Sequence, residues 1–145
     1  FQNILHELFN TLAGKTITML GFAFKQNTGD TRDSPAIPLC EKLVGENARV
    51  RIHDPKALEN ARIELKDLKG DVLFVEDVYE AAEGAHALAL VTQWDEYREL
   101  DYEKIHQAMA EPAFIFDGRN HLDHDKLYKI GFNVFPLGKS PLKHI

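Results

Sequence analysis

KTITML (15–20), GFAFKQNTGDTRD (21–33) and SPAIPLCEKLVG (34–45) decide how this chain folds. The first block is short, β-branched and mostly apolar, the composition of a buried strand. The third can be capped by Asp33 or Ser34 and carries Pro35 in its first turn. Ile37, Leu39, Cys40, Leu43 and Val44 then give a helix its inner face before Gly45. Between strand and helix lie thirteen residues, where such a connection ordinarily takes about two to six. A loop this long, with Lys25 and Arg32 and little hydrophobic bulk after Phe24, suits a ligand better than a turn. It follows the first strand of an open α/β pattern, the place where such sheets hold phosphates. Its two glycines, Gly21 and Gly29, do not make G-x-G-x-x-G. Side-chain cations, rather than a tight backbone cradle, would grip a phosphate here.

Outward from this block the alternation continues. ARVRIHD (48–54) reads as a strand, 56–68 as helical in part, and DVLFV (71–75) as a short strand or extended segment. A helix follows at 77–83. HALALVT (86–92) is an unbroken apolar run, typical of a strand covered on both faces. A helix over 101–110 has Asp101 as its cap, AFIFD (113–117) is a strand, 123–130 a helix and FNVFPLG (132–138) the last strand. Before the first strand, Ile4, Leu5, Leu8, Phe9 and Leu12 recur at helical spacing, with Gly14 as a stop. Strand and helix trading places imply right-handed crossovers. The fold class is α/β: a Rossmann-like, doubly wound, mostly parallel sheet with helices on both faces.

With 145 residues and a net charge of −6, one domain is expected, and general nucleic-acid binding or docking on anionic lipid is disfavoured. An anionic ligand needs local positive charge that overrides this average. Cys40 stands alone, so there is no disulfide framework and a cytoplasmic setting is expected. No apolar run approaches the roughly 18 residues of a membrane span. The chain opens at Phe1 inside an amphipathic pattern and reads as a piece of something longer.

Ligands of such sheets bind beyond the carboxyl ends of the strands, near the reversal of strand order. The loops there are 21–33, 54–56, 75–77, 93–100 and 117–122. Lys25 from the first and Arg119 from the last would put two cations on a diphosphate, with Phe24 or Trp94 offering a stacking face to a base. An arginine fork suits phosphate oxygens. The competing reading makes these solvated loop cations paired with Asp30 and Asp117. Asp54 resembles the acid that holds a ribose in dinucleotide domains, yet it lies 33 residues after Gly21, where about 20 is usual. With Pro55 behind it, capping or turn formation fits better. His121 and His124 around Asp123 suggest metal ligands, but the spacing is loose and no metal is expected. Cys40, on the inner face of a helix, reads as a buried inert thiol, and packing on a strand end is the alternative reading for Trp94.

GFAFKQNTGDTRDSPA resembles the signature loop that opens the C-terminal domain of the UDP-glucose 6-dehydrogenases. FQNILHELFNTLAGKTITMLG, RIHDP, HALALVTQWDEYRELDYEKI and AFIFDGRN match further segments of that family in the same order. The resemblance implies that residues 1–13 end a long central inter-domain helix and that 14–145 form a UDP-sugar-binding domain. Phe24, Lys25 and Arg119 would contact UDP-glucose or UDP-glucuronate. Arg32 would reach toward NAD held mainly by an N-terminal domain that this chain lacks. It further implies a four-electron oxidation of UDP-glucose with two NAD and water, through a cysteine that forms thiohemiacetal and thioester intermediates. Cys40 matches no such position, so no catalytic residue is expected here, and the chain alone is expected to be inactive. A homo-oligomer is expected of the intact protein, with a role in polysaccharide biosynthesis.

Three other readings remain. The same domain occurs in dehydrogenases of UDP-N-acetylmannosamine and GDP-mannose. A stand-alone nucleotide-binding module would have no catalytic partner. A receiver-like signalling domain would need an acid cluster at the strand ends, and Asp30, Asp54 and Asp117 are scattered in sequence.

Overall fold

A computed structural model of the protein describes residues 12–25, 28–32 and 34–144. Residues 1–11, over which most of the first helix is expected, lie outside the described residues, as does Asp33. Six strands form one parallel sheet: β1 (Thr16–Leu20), β2 (Arg49–His53), β3 (Val72–Phe74), β4 (Ala87–Leu90), β5 (Phe114–Asp117) and β6 (Asn133–Pro136), ordered β3-β2-β1-β4-β5-β6. The chain winds outward from β1 to β3, returns across the sheet to β4, and winds outward again to β6. Strand order therefore reverses between β1 and β4, which pair directly from Ile17↔Ala87 to Leu20↔Leu90.

The helices are α1 (Ala36–Gly45), α2 (Leu58–Glu64), α3 (Val78–Ala82), α4 (Tyr102–Ala108) and α5 (His124–Ile130). They divide by half of the winding. Cys40 and Leu43 of α1 and Ala61 of α2 pack with Ile17, Met19, Val50 and Ile52 on one face. Val78, Ile105 and Leu127 of α3, α4 and α5 pack with Leu20, Leu88 and Ile115 on the other. Period-two alternation along β1 sends Met19 to one core and Leu20 to the other. Each fully buried aliphatic side chain contributes about 1.5–3 kcal/mol of transfer free energy. Thr18, buried in the central strand, satisfies its hydroxyl by donating to Ala81 O of α3 at 2.6 Å.

The second-face helices start alike. Asp77, Asp101 and Asp123 cap them and accept from Tyr79 N, Lys104 N and Lys126 N, each cap contributing about 1 kcal/mol. At α1 the cap position is Pro35, which has no side-chain acceptor. The Ser34 hydroxyl, one residue earlier, accepts from Ala36 N at 3.1 Å and donates to Phe22 O at 2.7 Å. Ser34 thus joins the start of α1 to the start of the long loop. Two features depart from the sequence reading. Residues Asp95–Arg98, expected within a loop, form a 3-10 turn, and Leu142 pairs antiparallel with Val134 along β6.

Cys40 lies in the α1 core with no exposure. Burial, helped by the neighbouring Glu41 charge, pushes its thiol up to about 12. A thiol reagent at mildly alkaline pH is expected to leave the native chain unlabelled and to modify it fully in denaturant. Stoichiometric labelling of native protein would contradict that placement.

Candidate functional site

The carboxyl ends of β1, β2, β4 and β5 share one edge of the parallel sheet, where such folds form a crevice at the reversal of strand order, and two buried aspartates organise the loops there. Asp54 follows β2 directly. Its Oδ2 accepts from Phe22 N at 2.8 Å, Ala23 N at 2.9 Å and Trp94 Nε1 at 3.1 Å. Its Oδ1 accepts from Lys56 N and Ala57 N, both at 2.8 Å. A carboxylate suits this role because it only accepts, with room for several donors. Asp54 therefore makes the turn the sequence suggested, and also holds two other loops; it is 3% exposed and spent on these bonds.

The long loop is strapped down on both sides before it emerges. Gly21 N donates to His53 O at 2.8 Å, and Thr92 Oγ1 donates to Ala23 O at 2.7 Å. Phe22 and Ala23 are buried, whereas Phe24 is 47% exposed, and Lys25 beside it is exposed too. Phe24 N then donates to Asp30 O at 2.8 Å, closing the loop on itself. Its far limb rests on α2 through Thr31 Oγ1 and Glu64 Oε1 at 3.2 Å.

Asp117, the last residue of β5, holds the second loop. Oδ1 accepts from Arg119 N at 3.1 Å, while Oδ2 accepts from His121 N at 2.8 Å, Leu122 N at 2.9 Å and His124 Nε2 at 2.8 Å. The Arg119 side chain turns the other way, and its Nε donates to Val91 O at 2.9 Å. Both Nη groups are left without a partner among the described residues. Beside this loop an apolar cleft of about 190 Å³ opens between Leu39, Val91, Phe116, Phe135 and Leu137.

The residues singled out from sequence fare differently. Phe24, Lys25 and Arg119 stand on loops at one edge of the sheet, joined through residues 91–94. Arg32 forks onto Asp30, with Nε to Oδ1 at 3.1 Å and Nη2 to Oδ2 at 3.0 Å. That bond, with help from Arg32 N, lowers the Asp30 carboxyl to about 2. Asp30 is thus paired with Arg32, a partner the competing reading did not give it. Asp117 takes the backbone N–H of Arg119 and not its guanidinium. Trp94 is 5% exposed and packs in the second core; of the two candidate stacking faces, only Phe24 is open to solvent. His124 donates to Asp117, and His121 Nε2 meets Trp94 O at 3.0 Å, so both histidines have structural partners. No group of three metal-ligating side chains occurs among the described residues.

Two buried groups escaped the sequence reading. His53 Nδ1 and Tyr97 Oη lie 2.8 Å apart beneath the crevice. Burial lowers the imidazole and raises the phenol, the Asp54 charge opposing the first shift and adding to the second. The pair is therefore neutral. Thr92, which pins Ala23, is the other; its one available signal is a threonine ending the apolar run of β4.

Residues 18–124 match the family described as "UDP-glucose/GDP-mannose dehydrogenase family, UDP binding domain". The chain is 46% identical to UDP-glucose 6-dehydrogenase 2 of Oryza sativa subsp. japonica over 161 residues, covering 99% of this chain and 33% of the relative. It is 44% identical to UDP-glucose 6-dehydrogenase of Drosophila melanogaster over 148 residues, covering 95% and 31%. It therefore spans about a third of the length of the curated relatives it matches. A solved UDP-glucose dehydrogenase from the hyperthermophilic archaeon Pyrobaculum islandicum superposes with a TM-score of 0.70 at 30% identity, covering 90% of this chain and 28% of that one. The reversal crevice, the long first loop and these matches lead to one conclusion: the chain belongs to the UDP-glucose/GDP-mannose dehydrogenase family, through that family's UDP binding domain.

Proposed function

We propose that this chain is the UDP-sugar-binding part of an NAD-dependent UDP-glucose 6-dehydrogenase, which oxidises UDP-glucose to UDP-glucuronate. One observation carries the reading. Arg119 is fixed by its Nε on Val91 O, with both Nη groups unpartnered among the described residues, at the strand end whose next residue, Thr92, pins the Phe24–Lys25 loop. A guanidinium held this way presents a preformed fork to phosphate oxygens at little entropic cost. Lys25 adds an exposed second charge, and Phe24 an exposed ring.

NAD, when bound, accepts the hydrides of such an oxidation. This chain is poorly fitted to hold it, having no glycine-rich turn after β1 and offering Arg32 alone, its side chain 83% exposed beside Asp30. The reading therefore assigns the cofactor and the catalytic cysteine to an N-terminal domain, and the chain alone turns over nothing. A cytoplasmic, homo-oligomeric whole protein belongs to the same reading. No helix among the described residues is long and apolar enough to cross a membrane.

Calorimetric titration with UDP tests the site. Lys25→Ala and Arg119→Ala are each expected to weaken UDP by about tenfold or more, the loss of one charge-assisted contact. Equal affinity in both variants and the unmodified chain would refute the assignment.

A further inference from the structure

The two cationic loops come from opposite sides of the strand-order reversal, and nothing joins them in sequence. One residue touches the supports of both. Trp94 Nε1 donates to Asp54 Oδ2 at 3.1 Å, and the same oxygen accepts from Phe22 N and Ala23 N just ahead of Phe24 and Lys25. Its carbonyl oxygen, a pure acceptor, receives His121 Nε2 at 3.0 Å. His121 N in turn donates to Asp117 Oδ2, and Asp117 Oδ1 holds Arg119 N. The connection is continuous: loop backbone, Asp54, Trp94, His121, Asp117, Arg119.

We propose that Trp94 is a positioning residue that sets the spacing between Lys25 and Arg119, and so selects a nucleoside diphosphate over a monophosphate. The inference rests on the diphosphate reading above. The indole is 5% exposed, so it acts through its neighbours and not by contact with the ligand. A rigid, buried bicycle with a polar atom at its far edge suits a spacer. One contact holds the indole N–H on Asp54, the other holds the main-chain carbonyl of the same residue on His121, and the ring is buried in the core cluster that includes Tyr97, Leu122 and Leu20. A diphosphate spans both cations at once, whereas a monophosphate can use only one well. The spacing therefore appears as a ratio of affinities, separate from the strength of either contact.

The test is an NMR-detected titration of the chain with UDP and, separately, with UMP. Trp94→Phe keeps a packed ring and deletes the indole donor. His121→Leu deletes the other link, and His121→Gln restores an amide donor at similar reach. The unmodified chain is expected to prefer UDP by roughly tenfold. Trp94→Phe and His121→Leu should bring the ratio close to one, with His121→Gln recovering most of it. A residue that merely supports the fold would lower the melting temperature and leave the ratio intact. If that result appears while Lys25→Ala and Arg119→Ala still weaken UDP about tenfold or more, the spacer role is overturned and the site reading stands. If the unmodified chain shows no preference, or the cation variants have no effect, both fall. Should Trp94→Phe fail to fold, the His121 pair decides the matter alone.

Discussion

Asp54→Ala is expected to lower the unfolding free energy by about 4 kcal/mol or more, since each buried donor left unsatisfied costs about 1–3 kcal/mol. The side chain receives five hydrogen bonds, from Phe22 N, Ala23 N, Lys56 N, Ala57 N and Trp94 Nε1. Those of Phe22, Ala23, Ala57 and Trp94 are buried. A domain's whole stability is about 5–15 kcal/mol, so the variant would be close to unfolded. Asp54→Asn keeps one acceptor oxygen and turns an NH₂ toward the remaining donors; about 2–3 kcal/mol is expected for it by the same arithmetic. Urea titration at unchanged m reads both values. A loss below about 1 kcal/mol in the alanine variant would mean that water replaces the carboxylate without cost. The effect also reaches function: a freed Phe22–Ala23 backbone no longer fixes where Lys25 emerges.

The second large effect is expected at Gly21. Its φ is +96°, a region that side chains disfavour, and a Cβ there would stand 2.4 Å from Thr92 Cβ and 2.8 Å from Thr92 N. The absent side chain lets the ends of β1 and β4 close on each other at the reversal of strand order. Gly21→Ala should cost about 3 kcal/mol, roughly 1–2 for the backbone and 1–3 for overpacking against a neighbour that includes main chain. Gly45, with nothing within 4 Å of a built Cβ, ends α1, and its alanine variant should be neutral or stabilising by up to about 1 kcal/mol. Thermal melts of the two variants side by side separate close approach from a generic glycine effect. Equal melting temperatures would remove the close-approach argument.

The regular elements were legible because their signals are local. HALALVT, apolar without a break, became β4, with Ala87–Leu90 buried throughout. Asp101 caps α4 as its spacing suggested. The 3-10 turn at Asp95–Arg98 was not legible, since four residues carry too little periodicity to separate a turn from a loop. The site was legible in part. Alternation of strand and helix placed Lys25 and Arg119 at one edge, but the groups that aim them are long-range. Asp54 gathers donors lying 31, 32 and 40 residues away, so its local sequence shows the turn and hides the clamp. Arg119 and Asp117 invite pairing by charge. The side chain instead finds a carbonyl 28 residues distant, because strand β4 ends beside it.

The central claim is that exposed cations on two loops, held by buried aspartates, grip a diphosphate at the β1/β4 reversal. Backbone amide shifts recorded during a UDP titration test it most directly. The account predicts movements concentrated at Phe24, Lys25 and Gly118–Asn120, with smaller ones at Val91–Trp94. It would be contradicted by movements gathered in the charged groove between α4 and α5, lined by Glu103, His106, Lys126 and Lys129, with the two loops unmoved.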